Sequence, residues 1–524
     1  MRDNDYEVLV AGAGPVGLAL AGELALRGVR TLVIERLTEP STTIKAGGIN
    51  VVTAEAAYWR GLLPQLRAVQ DEAMAAMSAF MSSAGARLPF AAAQRQSKLR
   101  GHFGGIFVLD GGQTDLDDAD FEPNPATGVM MVNQQAIERI FGGWAREQGA
   151  LVRRGVELAG FVDDGDGVTV ELADGERITA DWLVGCDGGR SIVRKIAGFD
   201  FPGTDPTITG HQAIVDIEGA EKLPVGWTRT AKGMLVYGPV PGRILTVEYD
   251  GPPIDRDAPI TAQELETSLR TVSGVEDVRI TAVHSSTRFT DHARQVSEYR
   301  RGRVLLAGDA AHVHSPFGGQ GLNLGVGDVL NLGWKLAATI RGTAPEGLLD
   351  TYTTERHPVG AWVLDWNRAQ VALMRPDVQT SALRNVVTDL IGTRDGITYF
   401  AKKLAGLWID YDLGGDHPLA GRRTPDLAFD DGTRLGECCA DGRPVLVDLG
   451  VGRLAELAAE WGERINVLVK TCSARPELAG LLVRPDGYVA WAAAPSIQGC
   501  GTDGLADALT RWFGVPERVP VAVD

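Results

Sequence analysis

The sequence predicts an α/β protein: a parallel-sheet domain interrupted by an antiparallel sheet and followed by a smaller α/β domain. Three observations carry this. Glu7 to Ala11 (EVLVA) is a short apolar strand that runs into Gly12-Ala13-Gly14-Pro15-Val16-Gly17. In the middle, HQAIVDIEG, GMLVYGP and GRILTVEYDG read as strands separated by turn residues. Towards the C-terminus, PVLVDL, RINVLVK and GLLVRPDGYVAW alternate with helical runs.

The first element is the most specific. After the glycines, LALAGELALRG has helical periodicity, and RTLVI then ends in Glu35. This is the βαβ fingerprint of a Rossmann-like dinucleotide-binding domain. Gly12 allows the tight turn, Gly14 lets backbone approach a pyrophosphate, and Gly17 permits close helix–strand packing. The helix N-terminus favours phosphate charge. Glu35, about 20 residues on, is placed to accept hydrogen bonds from a ribose. The fingerprint alone does not separate NAD from FAD.

A second glycine-rich passage begins after the apolar run Arg303 to Ala307. It reads AGDAAHVHSPFGGQGLNLGVGD, with six glycines, two histidines and one proline. Gly308-Asp309 ends the strand, where ligands bind in open α/β sheets, and Asp309 can accept hydrogen bonds from sugar-like hydroxyls. Beyond Gly321, apolar residues at Leu322, Val326, Val329, Leu330, Leu336 and Ile340 are spaced for one buried helix face. The start of that helix would stabilise a flat ring that becomes anionic. A metal site at His312 and His314 is the weaker reading, because no further His or Cys lies nearby.

Composition bounds the partners. The chain has 524 residues and 55.8 kDa, which suits two or three domains. A net charge of -17 and pI ≈ 5.0 argue against nucleic acid. No stretch approaches the roughly 20 apolar residues of a membrane span. The N-terminus, MRDNDYEVLVAGAG, carries acidic residues and enters a strand, unlike a signal peptide. The five cysteines do not suggest a disulfide framework, so the cytoplasm is the expected compartment.

A third motif, DWLVGCDGGRSIVR, ends a strand at Asp187-Gly188. With GAGPVG and GRVLLAGDAAHVHSPFGGQGLN, it makes the chain resemble the class A flavoprotein monooxygenases, the para-hydroxybenzoate hydroxylase-like family. RRTPDL and VRPDGYVAW further resemble the thioredoxin-like tail of the longer aromatic polyketide hydroxylases and rifampicin monooxygenases. The resemblance implies FAD, with NADPH or NADH as a transient reductant, since no second GxGxxG domain is visible. It implies hydroxylation of an aromatic, polycyclic substrate through a flavin C4a-hydroperoxide formed with dioxygen. Baeyer–Villiger insertion by the same flavin is the nearest alternative, and a non-catalytic flavin-binding interaction protein is the alternative from another class. No WxWxIP-type segment is present, which argues against a halogenase.

The implied cofactor set is Gly12, Gly14, Pro15, Val16, Gly17, Glu35, Arg36, Lys45, Gln134, Asp187, Gly188, Gly308, Asp309, Pro316, Gly319, Gly321, Leu322 and Asn323. Lys45 stands where many members carry arginine, and so does Val52, while Asn50 and Glu55 match. The Pro316-Phe317-Gly318 turn is expected between flavin and substrate, with no obvious cationic side chain beside it. Substrate candidates are Asn50, His102 and Phe103 in a glycine-flanked loop, Trp227, Tyr237 and Phe317. No metal is expected.

The expected domains are residues 1–188 with 283–400 for the cofactor, the 75–110 loop joining the substrate side, and 189–282 for the substrate sheet. A linker at 401–420 and a thioredoxin-like domain at 421–524 follow. Cys438 and Cys439 are adjacent, so this last domain lacks the CxxC of redox thioredoxins. Packing or oligomerisation, a homodimer for example, suits it better.

Overall fold

The computed structural model describes residues 4–516 apart from 44, 84–97, 111, 113, 116–117, 122–123, 127, 239, 257, 451 and 496–501. The strand Tyr6–Ala11 lies inside an eight-stranded sheet. Thr31–Glu35 and Arg177–Gly185 flank it in parallel, and Leu151–Arg154 and Val304–Leu306 continue the parallel run outwards. Val8, Leu9, Val10, Leu32, Val33, Leu183, Val184, Leu305 and Leu306 are all fully enclosed. Such apolar runs are what strands covered on both faces require. Helices Pro15–Leu26, Gln134–Glu147 and Gln320–Ile340 pack together over this sheet.

A five-stranded antiparallel sheet is inserted, in the order Gly226–Arg229, Gly233–Tyr237, Arg243–Glu248, Thr209–Glu218, Arg279–Phe289. Side chains alternate between its faces. Ala213, Val215, Leu235 and Ile244 meet Leu265 and Leu269 of the helix Ala262–Ser273. Met234, Val236, Leu245 and Val247 meet Phe317, Val371 and Met374 on the opposite face. The last strand runs unbroken across residue 282, so the sheet ends at Phe289.

The C-terminal sheet has four strands, Asn466–Val469, Val445–Asp448, Gly480–Val483 and Val489–Ala493 in that order. Leu446, Leu482, Trp491 and Trp512 share one apolar cluster with Leu324 and Trp334 of the helix Gln320–Ile340 and Val359 of the helix Thr351–Met374. The segment expected as a linker is packed instead. Residues up to Ala405 belong to the helix Arg394–Ala405, and Leu407, Tyr411 and Leu413 are buried. Their apolar side chains outweigh the Pro/Gly-rich composition that follows. No helix among the described residues is long and apolar enough to cross a membrane.

Candidate active site

At the dinucleotide turn each glycine meets a different constraint. Gly12 has φ +107, and a Cβ there would stand 2.5 Å from the Cys186 carbonyl oxygen. A Cβ on Gly17 would lie 2.0 Å from the Gly12 oxygen, whereas one on Gly14 meets nothing within 4 Å. Gly14 caps the helix with no side-chain bond, so the first N–H groups face open space. Pro15 is buried, and Val16 packs on Gly308 and Gly325 rather than outwards. Glu35 accepts the Ala13 N–H on Oε2 and the Leu37 N–H on Oε1, both at 2.9 Å. Arg36 and Lys45 are exposed. Gln134 Nε2 donates to Glu138 Oε1 at 2.8 Å.

The Gly308-Asp309 end is held from behind. The Gly308 N–H donates to Asp328 Oδ2 at 3.1 Å, while Asp309 is exposed. A Cβ on Gly321 would lie 3.8 Å from Asp309 Oδ1 and 3.6 Å from His314 Nε2, so these two groups converge on that backbone. His314 Nδ1 donates to the Ser315 oxygen at 2.7 Å. Burial holds the ring's pKa below its ordinary value, so Nε2 is a bare acceptor, enclosed and without a partner. Asp187 Oδ2 accepts the Ile192 and Val193 N–H groups, yet its Oδ1 is enclosed and unpaired. Gly188 and Gly319 have positive φ and open space where a Cβ would stand. Open backbone with orphaned acceptors fits a flat, hydroxyl-bearing dinucleotide such as FAD.

Asn323 stitches this turn to the rest. Its Oδ1 accepts from Asn50 N–H at 2.9 Å and Thr53 Oγ1 at 2.7 Å, and its Nδ2 donates to the Gly319 oxygen at 2.8 Å. Leu322 is buried. Asn50, expected at the substrate, is buried and is the N-cap of the helix Val51–Trp59, accepting from Thr53 N–H at 3.1 Å.

GHFGG, expected near the substrate, is a hairpin rather than a loop. Gly104 (φ +55) and Gly105 (φ +76) form a two-residue turn between Lys98–Phe103 and Ile106–Asp110, both with the left-handed geometry such turns need. Of the expected 75–110 loop, residues up to Ser83 belong to the helix Leu63–Ser83, and 84–97 lie outside the described residues. Strand alternation then splits two neighbours. The His102 ring lies 4.2 Å from Trp227, which lies 6.5 Å from Phe317, and Phe289 lies 5.9 Å from Phe317 on another side. Phe103 points away, 4.4 Å from Trp366 and 5.0 Å from Phe400, and does not join this wall. Tyr237 also departs from expectation. It lies on the helix-covered face, 6.3 Å from Phe80.

His102 is pulled down to about 4 by burial, then by Arg384 and Arg243. Its Nδ1 accepts the Gly105 N–H at 3.3 Å, so the neutral ring carries its proton on Nε2. Phe317 is buried, Pro316 is exposed, and Gly318 has φ +77. Gln370, which the sequence did not single out, bridges turn and hairpin: Oε1 accepts the Gly104 N–H at 3.0 Å and Nε2 donates to the Phe317 oxygen at 3.4 Å. Nor is the region free of cations. Arg384 NH1 donates to the Gly104 oxygen at 2.6 Å, and its NH2 reaches the side of Gly105 that faces Trp227. These arginines come from distant segments, so no local pattern announced them. His312 bonds Asp328, and no metal-holding cluster exists among the described residues.

Residues 5–367 match the FAD binding domain family, and 417–516 match the aromatic-ring hydroxylase C-terminal family. The chain belongs to the FAD-dependent aromatic-ring hydroxylases. A Streptomyces rimosus 12-dehydrotetracycline 5-monooxygenase/anhydrotetracycline 6-monooxygenase is 41% identical, covering 98% of this chain and 99% of its own. A rifampicin monooxygenase from Streptomyces venezuelae is 39% identical over 97% and 99%. The solved structure of an anhydrotetracycline hydroxylase from Streptomyces rimosus superposes with a TM-score of 0.84 at 38% identity, covering 98% and 99%.

In this hydroxylase the C-terminal part is fastened by buried charge. Arg484 pairs with Glu355 at 2.6 Å and with Asp486, and Lys335 reaches Glu355 at 3.0 Å. Cys438 and Cys439 are free thiols, and burial pushes Cys439 up to about 12.

Proposed function

We propose that this flavoenzyme uses NAD(P)H and dioxygen to hydroxylate a polycyclic aromatic molecule of the polyketide kind. The observation that carries the reading is the aromatic wall of His102, Trp227, Phe317 and Phe289, set on the sheet face that looks towards the Pro316–Gly318 turn. Bound and reduced, FAD supplies the activation of dioxygen and the transfer of one oxygen atom. The protein's own residues do the rest. Asp309, His314 Nε2 and the uncapped N-termini at Gly14 and Gly319 would hold the cofactor. Trp227 and Phe289, half-buried, present flat surfaces for ring stacking, and the buried Phe317 backs them and excludes water. Gln370 fixes the turn against the hairpin, so the substrate carbon is held at one distance, and proximity of this kind contributes up to about 7–11 kcal/mol. His102, neutral at working pH, offers a hydrogen-bond donor at Nε2 without adding charge.

Domain roles follow from this reading. The parallel sheet acts as a Rossmann-like cofactor domain and the antiparallel sheet as the substrate domain. The C-terminal unit is a thioredoxin-like fold used for packing, with no redox part of its own. Mass spectrometry of products from a panel of aromatic polyketides under 18O2 tests the function. A product heavier by one labelled oxygen, with a new phenol on an intact ring system, is expected. A lactone would assign the enzyme to Baeyer–Villiger chemistry instead.

A further inference from the structure

Four enclosed arginine side chains are matched with carboxylates, and the buried Arg194 is matched with the Ala310 and Gly189 backbone oxygens. Arg60 pairs with Glu23, Arg356 with Asp328, Arg484 with Glu355, and Arg288 on the helix-covered face of the inserted sheet with Glu264. Arg243 breaks this habit on the other face. It shares that face with Leu245 and Val247, which pack in the Phe317 cluster. Its Nε is enclosed and has no hydrogen-bond partner among the described residues, and no ion pair of Arg243 is found there. Burial alone lowers its pKa, with no acidic neighbour acting the other way.

A second donor stands beside it. Gln212 pairs across the strands with Leu245, and Ile214 with Arg243. Gln212 and Arg243 are therefore diagonal neighbours on one face, within reach of a common ligand atom. Gln212 is 4% exposed, and its Nε2 too is enclosed without an acceptor. Trp227, on the same face, carries the His102 ring, whose Nε2–H is a third donor. Leaving buried donors unmatched is costly unless a ligand supplies acceptors.

We propose that Arg243 and Gln212 form the anchoring subsite for the substrate's acidic edge. The enzyme thereby selects aromatic molecules carrying an ionised phenol, enol or carboxylate over neutral analogues. This rests on the aromatic-hydroxylase reading and names its substrate class. The same anion-binding chemistry could be satisfied by a phosphate of the reduced nicotinamide, so the test separates the two.

The FAD-loaded enzyme is titrated with 1,8-dihydroxyanthraquinone-3-carboxylate and with its methyl ester, following the flavin absorbance. The acid should bind about tenfold or more tightly than the ester, the scale of a hydrogen bond to a charged group. Arg243→Met should erase that preference by weakening the acid alone, Arg243→Lys should keep part of it, and Gln212→Leu should weaken the acid more than the ester. If Arg243→Met loses FAD or fails to fold, the lysine and leucine variants carry the test. Equal binding of acid and ester by the natural enzyme would overturn the proposal, as would equal weakening of both by the variants. Unchanged probe binding with a raised NADPH requirement for flavin reduction would overturn it too and assign the cluster to the reductant. Because the titration needs no turnover, a failed 18O2 experiment would remove the function while leaving the subsite measurable.

Discussion

His312 Nε2 lies 2.7 Å from Asp328 Oδ2, and both side chains are fully enclosed. The same Asp328 accepts the Gly308 N–H and, at 2.9 Å, Arg356 Nε. Burial by itself would raise the Asp328 pKa, but His312 and Arg356 outweigh it and hold the carboxyl below its usual value. One carboxylate thus ties the Gly308-Asp309 strand end to two helices. Asp328→Asn strands the Arg356 guanidinium, and breaking a buried pair costs about 3–5 kcal/mol. Urea unfolding should show a loss of that order, together with weaker FAD retention as Gly308 loses its anchor. A loss below about 1 kcal/mol would mean the hub is not structural.

Much of this was legible in the sequence because it is local. The Gly12–Gly17 turn, the strand before it and Glu35 lie within one βαβ unit, where spacing alone states the geometry. The same holds for the Gly308–Asn323 passage. What escaped depends on pairings between remote segments. Asp328 and Gln370 look like ordinary polar positions on helices until Gly308 and Gly104 are brought to them. Phe103 and Tyr237 lie away from Trp227 because a strand sends neighbours to opposite faces, and register decides which one meets it. Arg243 could be read as a surface charge in GRILTVEYDG, since only burial reveals that it lacks a partner.

Cofactor retention separates fold from binding at Gly14. A Cβ there meets nothing in the protein, so Gly14→Val should fold yet purify largely colourless, because the added methyl groups occupy the approach to the helix N-terminus. Asp309→Ala removes an exposed acceptor, and each such bond is worth about 1.5–3 kcal/mol, or roughly tenfold to a hundredfold in FAD affinity. Fluorescence titration of the apoprotein with FAD measures both. Two folded variants with undiminished affinity would place the cofactor elsewhere.

The C-terminal unit should matter through its charges rather than its thiols. Cys439 sits at about 12 and Cys438 is also raised by burial, so neither supplies thiolate at neutral pH. Replacing both with Ser should leave turnover nearly unchanged. Arg484→Met, by contrast, abandons Glu355 and Asp486 in an apolar setting and should lower the thermal midpoint by several degrees. A large loss of turnover in a stable Cys438→Ser/Cys439→Ser double variant would restore a redox role to this domain.

Acid lability should be traceable to His102. Its pKa falls from 6.5 to about 4 in the folded chain, with burial the largest cause and Arg384 and Arg243 next. As pH drops below about 6.5 the unfolded chain takes up this proton, while the folded chain refuses it until about 4. The contribution of His102 to stability is therefore fully present above 6.5 and is lost as pH falls to about 4. For a lowering from 6.5 to about 4 the limit is about 3 kcal/mol, reduced by solvent screening because the residue as a whole is only half-buried. His292, lowered to about 4 by burial and then by Arg256 and Arg294, adds a second loss in the same window. His102→Gln removes one of the depressed histidine titrations, those of His314, His357 and His417 remaining with that of His292, and leaves every carboxylate in place. The variant loses the ring's packing on Trp227 at all pH values, so the quantity to compare is the difference between thermal midpoints at pH 7.5 and pH 5. That difference should shrink relative to the natural protein. An equal or larger difference would show that His102 takes up its proton in the folded state as readily as in the unfolded chain, and that the two arginines do not face it.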